Sequence, residues 1–112
     1  MAAADQELTD FGRYTGPATL VLASLAESAK HGYALTKDIE EFAGIRLAPG
    51  TLYEVLARLE SRGLIAALPA EERRKPYELT ALGATVLQET LDRQRQVAAV
   101  GLRRLRAGWT IS

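Results

Sequence analysis

The chain of 112 residues contains no cysteine, so disulfide staples and thiolate metal sites are both excluded. It has a single histidine, and without cysteine or a second histidine a transition-metal site has little to build on. The same shortage leaves nucleophilic catalysis without a base to arrange. With no glycine-rich phosphate loop either, the sequence presents no enzymatic constellation and no cofactor site. Net charge is missing as well: 14 Lys and Arg balance 14 Asp and Glu, which argues against a generally sticky nucleic-acid binder but says little about local patches. No apolar run approaches the roughly 18 residues of a membrane span. The acidic opening MAAADQELTD lacks the basic-then-apolar order of a signal peptide, so a cytoplasmic location away from any membrane is expected. Repeats and low-complexity segments are absent too.

What is present is a globular mixture, 47% apolar and 25% charged. A chain of this length has room for one domain with a modest core, to which a second subunit would add. Thr15-Gly16-Pro17 breaks the chain and restarts it as a helix from about Pro17 to Ser28, with Leu20, Val21, Leu22 and Leu25 apolar. Leu8 and Phe11, before the break, suit one face of a short extra helix. His31-Gly32 ends the first core helix, and His31 reads as a helix-end residue rather than a metal ligand. YALTKDIEEFAG follows, with Tyr33, Leu35, Ile39 and Phe42 on or near one face and Gly44 as a stop that tolerates a left-handed cap.

Pro49 opens the next helix, because the first turn has an orphan N–H in any case and the ring fixes a helical φ. Leu52, Leu56 and Leu59, with Val55 beside them, recur at spacings of four and three and bury one face of a helix ending near Gly63. The other face carries Thr51, Tyr53, Glu54, Ala57 and Arg58, a mixed set with an aromatic near the helix start. After Gly63 the pattern becomes extended: LIAAL at 64–68 and YELT at 77–80 are strands, and PAEERRKP at 69–76 is a charged turn holding Arg73, Arg74 and Lys75. Thr80 caps a last helix that runs from Ala81 to about Arg106. Leu87, Leu91, Ala98, Leu102, Leu105 and Trp109 form an apolar stripe on it that is too long for so small a core, and such a stripe calls for a partner helix. The alternative is a solvent-exposed tail helix, which Gly101 and Gly108 would weaken by about 1 kcal/mol each.

Three helices with a basic-tipped hairpin after the third is the order of a winged helix-turn-helix, a mainly α (α+β) fold with a two-stranded wing and, here, a long C-terminal dimerisation helix. The expected divisions are an extension over 1–16, a DNA-binding domain over 17–80 and a dimerisation helix over 81–112. In such folds the third helix lies in the major groove, so its polar face from Thr51 to Arg58 becomes a DNA-reading face, and Arg73, Arg74 and Lys75 reach phosphates or the adjacent minor groove. Blander roles remain open beside these. Tyr53 suits the rim of the core, Arg58 and Arg62 suit pairing with Glu54 and Glu60 along the helix, and the RRK run suits a solvated turn.

HGYALTKDIEE, PGTLYEVLARLESRGLI and RRKPYELTALG resemble, in order and separation, three signature segments of the PadR family of transcriptional regulators. The resemblance covers about Leu20 to Gly83, and its single C-terminal helix is similar to the short subgroup of that family. It implies a winged-helix homodimer joined through the C-terminal helix, with paired recognition helices on an inverted-repeat operator. By position, Thr51 and Tyr53 would lie at the DNA surface and Arg73, Arg74 and Lys75 at the wing tip. Two residues depart from the pattern. Glu54 sets a carboxylate beside Tyr53, suited to a cytosine amino group and unsuited to phosphate. Pro76 in KPY stiffens the wing and lowers its donor count. The leading expectation is a homodimeric repressor released by a small apolar or aromatic effector. The alternatives are a winged-helix module for protein–protein contact, and a ligand-sensing dimer that holds planar molecules between its C-terminal helices near Trp109.

Overall fold

The computed structural model describes residues 16–110. The short helix expected around Leu8 and Phe11 lies outside them. The described residues form four helices and a two-stranded antiparallel sheet.

Helix α1, described over residues 16–27, buries Val21, Leu22 and Leu25. Helix α2, Gly32–Ala43, starts at His31, whose Nδ1 lies 3.4 Å from the Ala34 N–H. The histidine is therefore the opening cap of the second helix and not the close of the first. An orphan first-turn N–H needs an acceptor, which the preceding chain end does not. Leu35 and Ile39 are fully buried. Tyr33 at 71% exposure and Phe42 at 51% are not part of that face. Tyr33 stands two residues before Leu35, about 200° around the helix, and Phe42 sits at the helix end. Gly44 closes α2 at φ 67°, donating its N–H to the Glu40 carbonyl.

Helix α3, Pro49–Ser61, buries Leu52, Val55, Leu56 and Leu59, the apolar set its spacing predicts. Strands β1, Ile65–Ala67, and β2, Tyr77–Leu79, pair with Ile65 opposite Leu79 and Ala67 opposite Tyr77. A contact that the sequence pattern does not announce covers the other side of β2. Lys30 exchanges both backbone hydrogen bonds with Tyr77, at 3.1 and 2.9 Å, and ties the α1–α2 connection to the wing.

Helix α4, Ala81–Gly108, has 28 residues and so runs for about 42 Å at 1.5 Å per residue. Thr80 Oγ1 accepts from the Gly83 N–H at 3.0 Å and donates to the Gly63 carbonyl at 2.7 Å, which locks the helix start to the end of α3. One stripe residue is reassigned here. Leu87 is 7% exposed and belongs to the chain's own core with Leu25, Leu56 and Ile65, because the first two turns of α4 lie on that core. It is not available to a partner. Leu91, Ala98, Leu102 and Leu105 continue the stripe on the exposed remainder, joined by Trp109, while Val97 is exposed off its line. The overhang elongates the molecule to 55 × 30 × 21 Å, with a radius of gyration of 16.3 Å against about 12–13 Å for a compact chain of that length.

Candidate nucleic-acid interface

The exposed side of α3 divides into three strips. Thr51 and Arg58 lie on the flank toward α1, where with Glu54, Pro17, Ala18 and Arg62 they line a cleft of about 300 Å³. Tyr53 lies on the opposite flank, since it is two steps on from Thr51 and each step turns the helix by about 100°. Gly50, Glu54, Ala57 and Ser61 form the outermost strip between them, all exposed. With only one large side chain on that strip, the α3 backbone can come close to whatever it faces.

Glu54 and Arg58 are not independent. Arg58 Nη2 donates to Glu54 Oε1 at 2.8 Å, one helical turn apart and with both side chains well exposed. An exposed pair of this kind is worth about 0.3–0.5 kcal/mol, so a competing phosphate or base edge displaces it readily. The structure thus contains the intrahelical pairing of Arg58, at a strength that leaves a second role open to it.

Tyr53 is 60% exposed, yet its ring end rests on the start of α2. A Cβ at Gly32 would come within 3.1 Å of the Tyr53 hydroxyl oxygen, so glycine is what lets the two helices approach there. On one side of Tyr53 a cleft of about 270 Å³ reaches the wing and is lined by His31, Tyr33, Arg73, Arg74 and Lys75. On its other side a cleft of about 320 Å³ runs under the α2–α3 turn past Thr36, Arg46 and Pro49. Helix α3, the α2 start and the wing therefore share one surface.

The wing turns at Glu72 and Arg73. Glu71 and Arg74 exchange both backbone bonds across them, at 2.9 and 2.8 Å, and φ is 49° at Glu72 and 70° at Arg73. Positive φ at both central residues is the pattern of a type I′ hairpin turn. Neither residue is glycine or asparagine, so each carries a left-handed cost of roughly 1 kcal/mol. The tip has mixed charge, two carboxylates beside the three cations expected from RRK. The cations differ in their surroundings. Lys75 Nζ lies 5.5 Å from the Tyr77 ring centroid, Arg74 Nη1 is 3.2 Å from His31 Nε2, and Arg73 has no side-chain partner among the described residues.

Three residues on this surface escaped the sequence reading: His31, Tyr33 and Arg46. Tyr33 is recognisable in hindsight by its period, since it falls outside the Leu35–Ile39 line. Arg46 sits in the short turn between Gly44 and Pro49, where only the packing of two helices reveals which way a side chain faces. His31 reads in the sequence only as a helix end, with nothing local to place its ring beside the wing.

Comparison with known proteins places this arrangement. Residues 21–89 match the family model described as the transcriptional regulator PadR-like family. An uncharacterized 37.1 kDa protein in transposon TN4556 of Streptomyces fradiae is 45% identical over 69 residues, which is 62% of this chain and 20% of that protein. A transcriptional regulator of Mycobacterium tuberculosis is 36% identical over 75 residues, 62% of this chain and 66% of its own length. The chain thus spans about a fifth of the first relative and about two thirds of the second. Among solved structures, a PadR family transcriptional regulator from Eggerthella lenta superimposes with a TM-score of 0.71 at 33% identity, covering 94% of this chain and 96% of that one.

Proposed function

The chain belongs to the PadR-like family, whose members are transcription regulators and not enzymes. From that premise we propose that it is a sequence-specific DNA-binding regulator, a homodimer that represses from a pseudo-palindromic operator in the cytoplasm and is released by a small apolar or aromatic effector. The observation that carries the reading is the shared surface of α3 and the wing, where Tyr53 and the cations Arg73, Arg74 and Lys75 line one cleft.

In this reading α3 enters the major groove by its first turns. Thr51 and Tyr53 flank the groove walls, and Glu54 and Arg58 open their mutual pair to meet base edges or phosphate. Arg73, Arg74 and Lys75 neutralise backbone phosphates beyond the groove. The unit over 17–80 reads DNA, and helix α4, anchored by its first two turns, presents Leu91, Ala98, Leu102 and Leu105 to the same stripe of a second copy. Two-fold symmetry then sets the half-sites one helical turn apart, about 34–36 Å.

The deciding experiment is DNA protection over the region upstream of the protein's own coding sequence, at low and at physiological salt. A protected pseudo-palindrome that survives physiological salt supports the proposal. Binding that disappears with modest salt and ignores sequence overturns it and favours a winged-helix module for protein partners.

A further inference from the structure

His31 stands where three elements meet. Lys30, its neighbour, is fixed to Tyr77 of β2 by two backbone bonds, and the His31 carbonyl accepts the Leu35 N–H in the first turn of α2. Its ring is therefore carried on a rigid junction beside the wing. The ring faces two groups that can only donate: the Ala34 N–H at 3.4 Å from Nδ1 and the Arg74 guanidinium at 3.2 Å from Nε2. A neutral imidazole has one nitrogen able to accept, so it serves one of the two at a time. The guanidinium contact is the shorter. Arg74 also borders the cleft that holds Glu71 and Glu72, yet no carboxylate lies within ion-pair distance of it among the described residues.

Resting on the reading of Arg74 as a DNA contact, we propose that His31 is a positioning residue for DNA binding: its Nε2 holds the Arg74 guanidinium at the α2–wing junction, so that the wing meets the duplex with one cation already placed. Arginine has many rotamers, and a guanidinium that gives one N–H to imidazole retains four for a phosphate. Ordering the side chain before binding removes a cost that an untethered arginine would meet on the DNA, equivalent to about 3- to 10-fold in affinity.

The two ring nitrogens can be imitated separately. Asparagine is among the best helix caps and resembles the Nδ1 side of the ring, but it is too short to reach Arg74. Glutamine places an amide oxygen near the position of Nε2 and caps poorly. With full-length protein and the operator fragment found by footprinting, His31→Asn is expected to keep the melting temperature and lose about 3- to 10-fold in affinity. His31→Gln recovers most of that affinity. Arg74→Ala weakens binding at least as much, and in that background His31→Asn costs nothing further. In the free protein, the ring nitrogen shifts of His31 report Nε2 as an acceptor, and Arg74→Ala moves them. If Arg74→Ala weakens binding while His31→Asn does not, or if the His31→Asn loss persists without Arg74, this proposal falls alone. If Arg74→Ala leaves affinity unchanged, the wing contact falls and the positioning role with it.

Discussion

At Gly83 the first turn of α4 lies so close to the Leu64 carbonyl that a methyl group has no room, and the same carbonyl accepts the Thr80 N–H at 3.1 Å. The obstacle is backbone and cannot swing aside. Gly83→Ala is therefore expected to lower stability by about 2–3 kcal/mol in denaturant titration, although alanine is the better helix former. Ser24 offers a second test at this scale. Its buried hydroxyl donates to Asp38 Oδ2 at 2.6 Å, while Lys30, 9% exposed at its side chain, donates its ammonium to the Ser24 carbonyl and lies 3.8 Å from the same carboxylate. Asp38→Ala strands the hydroxyl and removes a counter-charge, which is expected to cost about 2 kcal/mol. Asp38→Asn keeps an acceptor and should cost visibly less in the same titration.

At the scale of the element, the wing sets stability against binding. Replacing Glu72-Arg73 by Asn-Gly supplies the residues that a type I′ turn prefers and should raise stability by about 1 kcal/mol. It also deletes the Arg73 guanidinium, and although the Glu72 carboxylate goes with it a proposed phosphate contact is lost, so the DNA affinity should fall as the melting temperature rises. Replacing Arg73, Arg74 and Lys75 together by alanine is expected to flatten the slope of log affinity against log salt by up to about 2.7 per subunit, at roughly 0.9 per phosphate contact. An unchanged slope would remove the wing from the interface. How far these elements were legible follows from their physics. Helix α3 and its buried leucines, the hairpin and the Thr80 cap could be read because period and capping chemistry are local. The Lys30–Tyr77 pairing could not, since one residue of ladder has no period. Nor could the place of Leu87: its spacing puts it on the same stripe as Leu91, and only tertiary packing determines that the first is buried at home and the second is not. The candidate DNA-contact residues are exposed, as the pattern of α3 predicts, but the separation of Tyr53 from Thr51 and Arg58 onto opposite flanks required the helix to be built.

At the scale of the whole molecule, two substitutions four residues apart should behave as opposites. Leu87→Arg puts a charge into the folded core and should unfold the chain. Leu91→Arg or Leu102→Arg leaves the core intact and should yield a folded monomer in sedimentation; a persistent dimer would move the subunit interface elsewhere. The stripe that leaves the core at Leu87 and goes on unpartnered has one more consequence, which belongs to mass action. In the proposed dimer, a helix anchored at one end and completed by another copy makes resistance to heat a property of the solution as well as of the chain, because each tenfold rise in protein concentration adds about 1.4 kcal/mol to the paired state. The melting temperature of the wild-type protein should therefore climb with concentration, and that of Leu102→Arg should not. In a cell the same dependence, on the proposed dimer, would turn copy number into a variable that the regulator reads, with a few molecules folded and apart and many assembled.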